Sequence, residues 1–151
     1  MVVGLVLLGA LVVATACAVA RADTGAASAA QLTLDGATFR PELASTPSAR
    51  GKGLMNRSTA PKDGMLFVFP RPTASAFWMK NTLVPLAITF FDAAGKRVSR
   101  LLMKPCRRDP CKIYDPGHLY RFALEMPVSD RRPAKRLGPA SELRRLVKSS
   151  S

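Results

Sequence analysis

The chain has 151 residues, which favours a single domain long enough to bury a core of its own. It is strongly basic, with 23 Lys and Arg against 10 Asp and Glu, and it contains one His and three Cys. So few His and Cys residues argue against the usual zinc sites. We therefore predict neither a metal nor any other cofactor.

The first 22 residues predict export. Residues 2–20 are almost wholly apolar, and the small-x-small pattern at which signal peptidase cleaves ends at Ala22. Cleavage after Ala22 is the preferred interpretation. Two alternatives stay open: an uncleaved membrane anchor, and lipid attachment at Cys17, whose preceding residues are faintly similar to a lipoprotein cleavage site. Each alternative carries the domain across the membrane.

The remaining chain divides into three parts. Residues 23–30 are rich in Gly, Ala and Ser and predict a flexible leader. Residues 31–148 form the predicted globular domain, and residues 149–151, all Ser, form a predicted disordered tail.

Removing residues 1–22 leaves 22 basic and 10 acidic side chains, a formal charge of +12. A basic exported domain suits anionic partners such as an acidic glycan, a lipid headgroup or an envelope protein. A generally basic, solubilising surface is an equal alternative. The sequence has no recognisable nucleic-acid motif, so we expect no specific nucleic acid as partner. We expect a monomer.

The start of the domain predicts two short strands and a helix. Gln31–Leu34 and Phe39–Leu43 alternate apolar and polar residues on either side of the turn dipeptide Asp35-Gly36. Thr46-Pro47 then predicts a helix over 48–55, with Thr as the N-cap and Pro at the first helical position.

The rest of the domain predicts strands at regular spacing, namely Met65–Phe69, Phe77–Lys80, Ala87–Asp92, Arg97–Met103 and Leu119–Met126. We expect a short helix over Arg131–Leu137 and a closing strand over Glu142–Val147. Many short strands separated by turns predict a mainly β (α+β) fold, a compact single-domain sandwich or barrel with one or two short helices.

Two cysteines remain in the exported chain, Cys106 and Cys111. Four residues separate them within a loop that contains two prolines. In an oxidising compartment such a pair predicts a structural disulfide, whereas a redox motif has only two residues between its cysteines.

The segment between two apolar strands holds the candidate ligand-binding residues. Trp78, Lys80 and Asn81 offer an aromatic platform, a cation and an amide, which suits a sugar, carboxylate or phosphate. Arg50 and Arg57 are seven residues apart and would share a face of a continuing helix as anion clamps. The alternative is structural: Trp78 half-buried, Lys80 solvated, and the two arginines paired with carboxylates such as Asp63 or Glu125.

Catalytic candidates are few. Glu125 and Asp92 are the carboxylates available for acid–base chemistry, but nothing in the sequence pairs them. The single histidine, His118, follows a turn sequence and is expected to be exposed. An envelope hydrolase or lyase would use Glu125 or Asp92, with Arg57 or Lys80 stabilising negative charge.

Four linked motifs carry a family resemblance: RGKGLMNR over Arg50–Arg57, GMLFVF over Gly64–Phe69, FWMKNT over Phe77–Thr82, and Pro85-Leu86. Together they resemble the domain-of-unknown-function 192 family of bacteria and archaea. The resemblance implies a mainly β single domain, often behind an export signal, and supplies no reaction. The sequence departs from the family at Ala87, where Asp is common.

These observations together favour a non-catalytic binding module in the cell envelope or secreted from the cell. Its ligand is expected to be anionic or sugar-like, or else a protein partner. The hydrolase or lyase is the alternative function.

Overall fold

The computed structural model describes residues 31–150. The predicted signal segment, the leader and Ser151 lie outside the described residues. Within them the chain forms three sheets and two helices. The elements in chain order are β1 Leu32–Leu34, β2 Ala37–Phe39, β3 Glu42–Ala44, α1 Pro47–Lys52, β4 Met65–Thr73, β5 Phe77–Trp78, β6 Leu86–Phe91, β7 Arg97–Met103, β8 Ile113–Tyr114, β9 Tyr120–Pro127, β10 Leu137–Gly138 and α2 Ala140–Lys148. No helix in this range is long and apolar enough to cross a bilayer.

A five-stranded sheet in the order β3-β4-β9-β6-β7 forms the centre of the molecule. One face is covered by an apolar cluster that includes α2 and the β1–β2 hairpin, and the other by a cluster that includes Phe67, Met79 and Tyr114. The smaller sheets, β10-β1-β2 and β5-β8, pack over these faces. The predicted mainly β fold with two short helices is confirmed, and it is sandwich-like rather than a closed barrel.

The predicted hairpin around Asp35-Gly36 is present, with both residues at positive φ. The strand predicted over Phe39–Leu43 is instead two strands, β2 and β3, in different sheets. The chain breaks at Arg40-Pro41, where Pro41 has no N–H to donate to a ladder. Arg40 donates its backbone N–H to Asp63 Oδ2 at 2.9 Å, and β3 then pairs parallel to β4.

Helix α1 begins as predicted. The Thr46 hydroxyl accepts from the backbone N–H of Ala49 at 3.2 Å, and Pro47 occupies the first turn. The helix ends at Lys52, before the predicted end, because Gly53 adopts φ 46° and caps it. Arg57 therefore lies beyond the helix and does not share a helical face with Arg50.

Two predictions near the C-terminus are wrong. Residues 131–136 form no helix, because Pro133 interrupts the segment and Ala134 adopts φ 49°. The segment expected as a closing strand is helix α2. Its buried residues Leu143 and Leu146 are three apart, a helical spacing that places them on one face against the sheet.

Gly64 controls the entry into β4. It has φ +73°, and a Cβ there would lie 2.0 Å from the backbone oxygen of Glu125. Gly36 also has a positive φ, +87°, but a Cβ there meets nothing within 4 Å. The two glycines share the backbone constraint, and the close approach to a neighbouring strand exists only at Gly64.

We expect Gly64→Ala to lower the free energy of unfolding by at least about 3 kcal/mol, since it adds a clash with β9 to the positive-φ strain. Gly36→Ala, the matched control, should lower it by only about 1 kcal/mol. Urea unfolding followed by far-UV circular dichroism measures both. Equal losses in the two variants would show that the strands separate easily at Gly64.

Candidate functional site

The β5–β8 ribbon has one buried face and one exposed face. Phe77 pairs with Tyr114 and Trp78 pairs with Ile113. The Phe77 ring packs edge-on against Phe67, with ring centroids 5.1 Å apart. Trp78 points the other way and is 48% exposed. The ribbon therefore places the single tryptophan on the surface, directly above a buried aromatic layer.

A narrow slot runs inward between this ribbon and helix α1. Its volume is about 40 Å³, which is room for one or two water-sized groups. Its lining combines the end of α1 around Gly51–Gly53, the aromatic rings of Phe67 and Phe77, and the side chains of Trp78 and Thr82. The residues that line it are Arg50, Gly51, Lys52, Gly53, Leu54, Met55, Phe67, Phe77, Trp78, Thr82 and Glu125.

Glu125 is the acidic residue among those lining the slot. It lies in the middle of β9, opposite Met65 on one side and Ile88 on the other, and is only 4% exposed. Within residues 31–150 no side chain or backbone group forms a hydrogen bond or ion pair with its carboxyl. Burial raises the pKa of Glu125 to about 8. At neutral pH this carboxyl is mostly protonated and can both donate and accept a hydrogen bond.

The slot opens into a wider groove of about 280 Å³. Both spaces share Arg50, Gly51, Phe67, Phe77 and Trp78, so they form one continuous depression. Phe69, Ser75 and Ala76 complete the outer wall. The outer groove has room for a small ring, whereas the slot admits only a single polar group of the same ligand.

Two of the predicted ligand-binding residues have structural partners. The Lys80 ammonium pairs with Asp109 at 2.7 Å and lies 5.5 Å from the centre of the Trp78 ring. Asn81 adopts φ 54°, and its backbone oxygen accepts from the N–H of Asn56 at 2.8 Å. Neither residue lines the slot. Lys80 instead fixes the orientation of the indole, and Asn81 forms the turn after it.

The predicted disulfide is present. Cys106 and Cys111 are bonded, with their Cα atoms 5.8 Å apart. Cys106 also donates its backbone N–H to the Thr82 oxygen and forms bridges with both Lys80 and Thr82. The disulfide loop therefore supports the segment that carries Trp78.

The two arginines do not form a common anion clamp. Arg50 Nη1 donates to the backbone oxygens of Ser45 and Val68, at 2.6 and 2.9 Å, and so ties α1 to the central sheet. Arg57 forms a bidentate pair with Glu42, at 2.8 and 2.7 Å, outside the slot. Its partner is therefore neither Asp63 nor Glu125, the two carboxylates suggested by the sequence. Arg57 lowers the pKa of Glu42 through this hydrogen bond.

Asp92 and His118 lie away from the slot. Asp92 Oδ1 accepts from the backbone N–H groups of Ala94 and Lys96, and so closes the β6–β7 turn. It is four residues along β6 from Ile88, the partner of Glu125, or about 13 Å at the usual rise of a strand. His118 is exposed in the loop before β9. Neither Asp92 nor His118 supplies Glu125 with a second acid or base.

The fold and the site define a small mainly β domain in which a short helix and a two-stranded ribbon enclose a buried carboxyl. The family model DUF192, described as "Uncharacterized ACR", matches residues 30–132, more than half of the chain, and the protein belongs to this family. No curated protein shows significant similarity to the chain.

Two solved structures are similar to the chain, each with a TM-score of 0.59. One is a Sinorhizobium meliloti 1021 protein described as a candidate transcription regulator. It is 31% identical, over 72% of this chain and 91% of that chain. The other is a protein of unknown function from Novosphingobium aromaticivorans DSM 12444. It is 26% identical, over 68% of this chain and 76% of that chain.

Ala87, where the family resemblance leads one to expect Asp, does not line the slot. Ala87 pairs with Met126, and its neighbour Ile88 pairs with Glu125. Successive residues of a strand point to opposite faces, so position 87 lies on the face of the sheet away from the slot. The presence of Ala rather than Asp at position 87 therefore does not alter the set of side chains that line the slot.

Sequence reasoning did not assign the Gly51–Gly53 backbone or Phe67 to the site. A signal was present at Gly53, since closely spaced glycines indicate close packing of the backbone. A Cβ at Gly53 would indeed lie 3.2 Å from Phe67 Cζ. Thr82 lies in the same segment as Trp78, and the sequence fits it to a pocket wall or, slightly better, to a turn. It bonds the local backbone and also lines the slot.

Glu125 should make the domain less stable as the pH rises. Its pKa is about 8 in the folded protein and near 4.5 in the unfolded chain, so between these values the folded state holds one more proton. The stability linked to this proton is complete below about pH 4.5 and is lost as the pH rises through about 8, by up to about 5 kcal/mol. Urea unfolding at several pH values between about 5 and 9 measures this slope.

Glu125→Gln should remove most of that slope, because the amide does not titrate. Glu42→Gln is the control, since the pKa of Glu42 is lowered and its effect falls at more acidic pH. If the wild type and Glu125→Gln lose stability equally over this range, the carboxyl is ionised in the folded protein at neutral pH.

Proposed function

We propose that this protein is an exported, non-catalytic binding module for a small, neutral, hydroxylated ligand of the sugar class. The observation that carries the proposal is the buried Glu125 carboxyl, which has no partner among residues 31–150 and lines a slot beneath an exposed tryptophan. Among the described residues, Ser99 Oγ is the one side-chain oxygen that is completely enclosed without a partner, so the Glu125 oxygens reach the slot, where a ligand or water can complete their hydrogen bonds.

The shape of the depression supports a ring-shaped ligand with one projecting hydroxyl. A ring would lie in the outer groove against Trp78 and Phe69, since sugar rings present C–H faces that pack on aromatic surfaces. One hydroxyl would enter the slot and accept a hydrogen bond from the protonated Glu125. The mixture of apolar walls and few polar groups is typical of small-molecule sites.

The pairing of the basic side chains near the slot favours a neutral ligand over an anionic one. Arg57 and Lys80 are each paired with a carboxylate, and Arg50 bonds two backbone oxygens. Lys52 is the other charged residue that lines the slot besides Arg50 and Glu125. An anion would lie next to the Glu125 carboxyl, and Lys52, exposed at the end of α1, is the cation lining the slot that no ion pair engages among the described residues.

Export is supported by two features. The apolar stretch over residues 2–20 and the cleavage pattern ending at Ala22 fit a signal segment, and the Cys106–Cys111 disulfide is consistent with a non-cytoplasmic compartment. The description of the Sinorhizobium meliloti protein as a candidate transcription regulator is not extended to this chain, because the sequence lacks a nucleic-acid motif and predicts export.

A hydrolase or lyase is the second candidate, and the raised pKa of Glu125 is what favours it. A carboxyl with a pKa of about 8 can act as general acid near neutral pH. The proposed helpers Arg57 and Lys80 do not line the slot, and Asp92 is distant. Turnover of a glycan or ester that is abolished in Glu125→Gln would favour this candidate over the binding module.

The binding test uses the chain from Asp23 to Ser151, which retains every residue of both apolar clusters. Trp78 is the single tryptophan, so its fluorescence is titrated with neutral mono- and disaccharides, amino sugars and phosphate esters. We expect a saturable change with a neutral sugar that persists in moderate salt. Glu125→Leu should weaken binding by about 10- to 100-fold through loss of a buried hydrogen bond, whereas Arg57→Gln, outside the slot, should not.

The protonation state of Glu125 supplies a sharper test of sugar binding. Sugar binding should weaken as the pH rises through about 8, because the ligand hydroxyl loses its donor, and Glu125→Gln should bind with little pH dependence. Binding that strengthens with pH would indicate a cationic ligand for an ionised Glu125. Selective binding of phosphate esters, abolished by salt, would indicate diffuse charge instead. Either result contradicts the neutral-ligand proposal.

A further inference from the structure

The outer face of the β5–β8 ribbon is apolar, although packing on the core does not require apolar residues there. Its inner face, Phe77 and Tyr114, already packs on the core beneath the central sheet. The outer pair is Trp78 and Ile113, which are 48% and 58% exposed and lie directly opposite each other in the ribbon. A two-stranded ribbon that covers a core with one face usually carries polar residues on the other. A large aromatic beside a large aliphatic residue on the solvent side indicates an interaction surface.

Cations surround this pair. The disulfide loop and its flanks contribute the exposed basic residues Lys104, Arg107 and Arg108, and Lys80 lies beside the indole, whereas the Lys112 ammonium lies 5.1 Å from the centre of the Tyr114 ring. The acidic residues of the same region are both engaged: Asp109 pairs with Lys80, and Asp115 accepts from the backbone N–H of Gly117. The surface therefore combines two apolar side chains with a net positive border.

We propose that this ribbon face, defined as Trp78 and Ile113 with Lys104, Arg107 and Arg108, docks the domain on an anionic lipid bilayer. Trp78 and Ile113 would enter the headgroup region, and the basic side chains would lie against lipid phosphates. Tryptophan is suited to this boundary because its ring is apolar and its N–H can still reach a polar partner.

The size of the patch favours a bilayer over a protein partner. Two exposed apolar side chains supply much less than the roughly 800 Å² per partner that a stable protein interface usually buries. Interfacial membrane binding needs less apolar area, because each basic residue near an anionic surface adds its own attraction. Charge complementarity and limited apolar area therefore point to the same occupant.

The proposal shares Trp78 with the sugar site, but the other residues of the two sites are distinct. Ile113 and the basic loop residues do not line the slot or the outer groove, and Glu125 lines the slot and is not part of the ribbon face. Glu125→Leu should leave vesicle binding unchanged, and Ile113→Asp should leave sugar binding unchanged. The two proposals can therefore fail separately.

The test measures partition of the Asp23–Ser151 chain onto vesicles by co-sedimentation and by Trp78 fluorescence. Vesicles contain either phosphatidylglycerol with phosphatidylcholine or phosphatidylcholine alone, in about 0.1 M salt, where the Debye length is about 10 Å. We expect binding only to the anionic vesicles, with a blue shift of Trp78 emission. Phospholipids with brominated acyl chains should quench that emission, because the indole lies near the acyl boundary.

Two variants and two controls locate the surface. Ile113→Asp should reduce partition at least about 10-fold, and Arg107→Gln with Arg108→Gln roughly 30-fold. Leu102→Asp alters another exposed apolar residue, 71% exposed on β7, and should bind as the wild type does. The second control, Arg144→Gln with Lys148→Gln, makes the same change in net charge on α2. This helix packs on the opposite face of the central sheet, so the control should reduce partition by less than about 3-fold. Unchanged thermal unfolding confirms that each variant is folded.

Three results would overturn the proposal. Equal loss in both double-glutamine variants, without quenching by brominated lipid, would show that diffuse charge alone attracts the domain. Equal partition of wild type and Ile113→Asp would exclude the ribbon face. A blue shift that depends on protein concentration in the absence of lipid would show that a second copy of the chain covers this face.

Discussion

Strand β9 is hydrogen-bonded on both edges and covered on both faces, and the rest of the described structure is arranged around it. Strands β4 and β6 pair with it, and the two apolar clusters lie on either side of the sheet that it centres. Every side chain from Phe122 to Met126 is consequently buried. Glu125 lies in the middle of that run, where an ionised carboxylate is strongly disfavoured.

Desolvation links the fold to the chemistry of the site. The same burial that stabilises β9 holds Glu125 in its neutral form, so at neutral pH its carboxyl can act as a hydrogen-bond donor as well as an acceptor. The slot exists because α1 stops at Gly53, whose missing side chain lets the helix end approach Phe67. A longer helix, or a larger residue at position 53, would fill the slot through which a ligand reaches Glu125.

Trp78 belongs to two surfaces at once. It lies at the edge of the slot through the ribbon that Phe77 anchors, and with Ile113 it forms the outer face of that ribbon. The Cys106–Cys111 disulfide supports both, because Cys106 bonds the backbone on either side of Asn81. A ligand site and a docking surface would therefore share one rigid element, so that the domain would present its groove close to the membrane that it contacts.

The residue pattern alone determined the mainly β class, most strand positions, the capped start of α1 and the disulfide. These depend on local causes: alternation of apolar residues, turn dipeptides, the Thr46 cap and the close spacing of Cys106 and Cys111. The local pattern failed where tertiary packing decides. Leu143 and Leu146 fit a helix, but a short apolar run also fits a strand until the face that it covers is known.

For the site, the sequence identified the segment around Trp78 and proposed Glu125, but not how they are related. The sequence predicted a strand over Leu119–Met126, but not that packing on both faces of the sheet would bury Glu125. The sequence grouped Arg57, Lys80 and Asn81 with Trp78, and the structure engages each of them elsewhere. Which groups meet at the slot depends on the end of α1, the order of the strands and the partners of each charge. These long-range contacts have no local signature, and so the tertiary structure alone decided them.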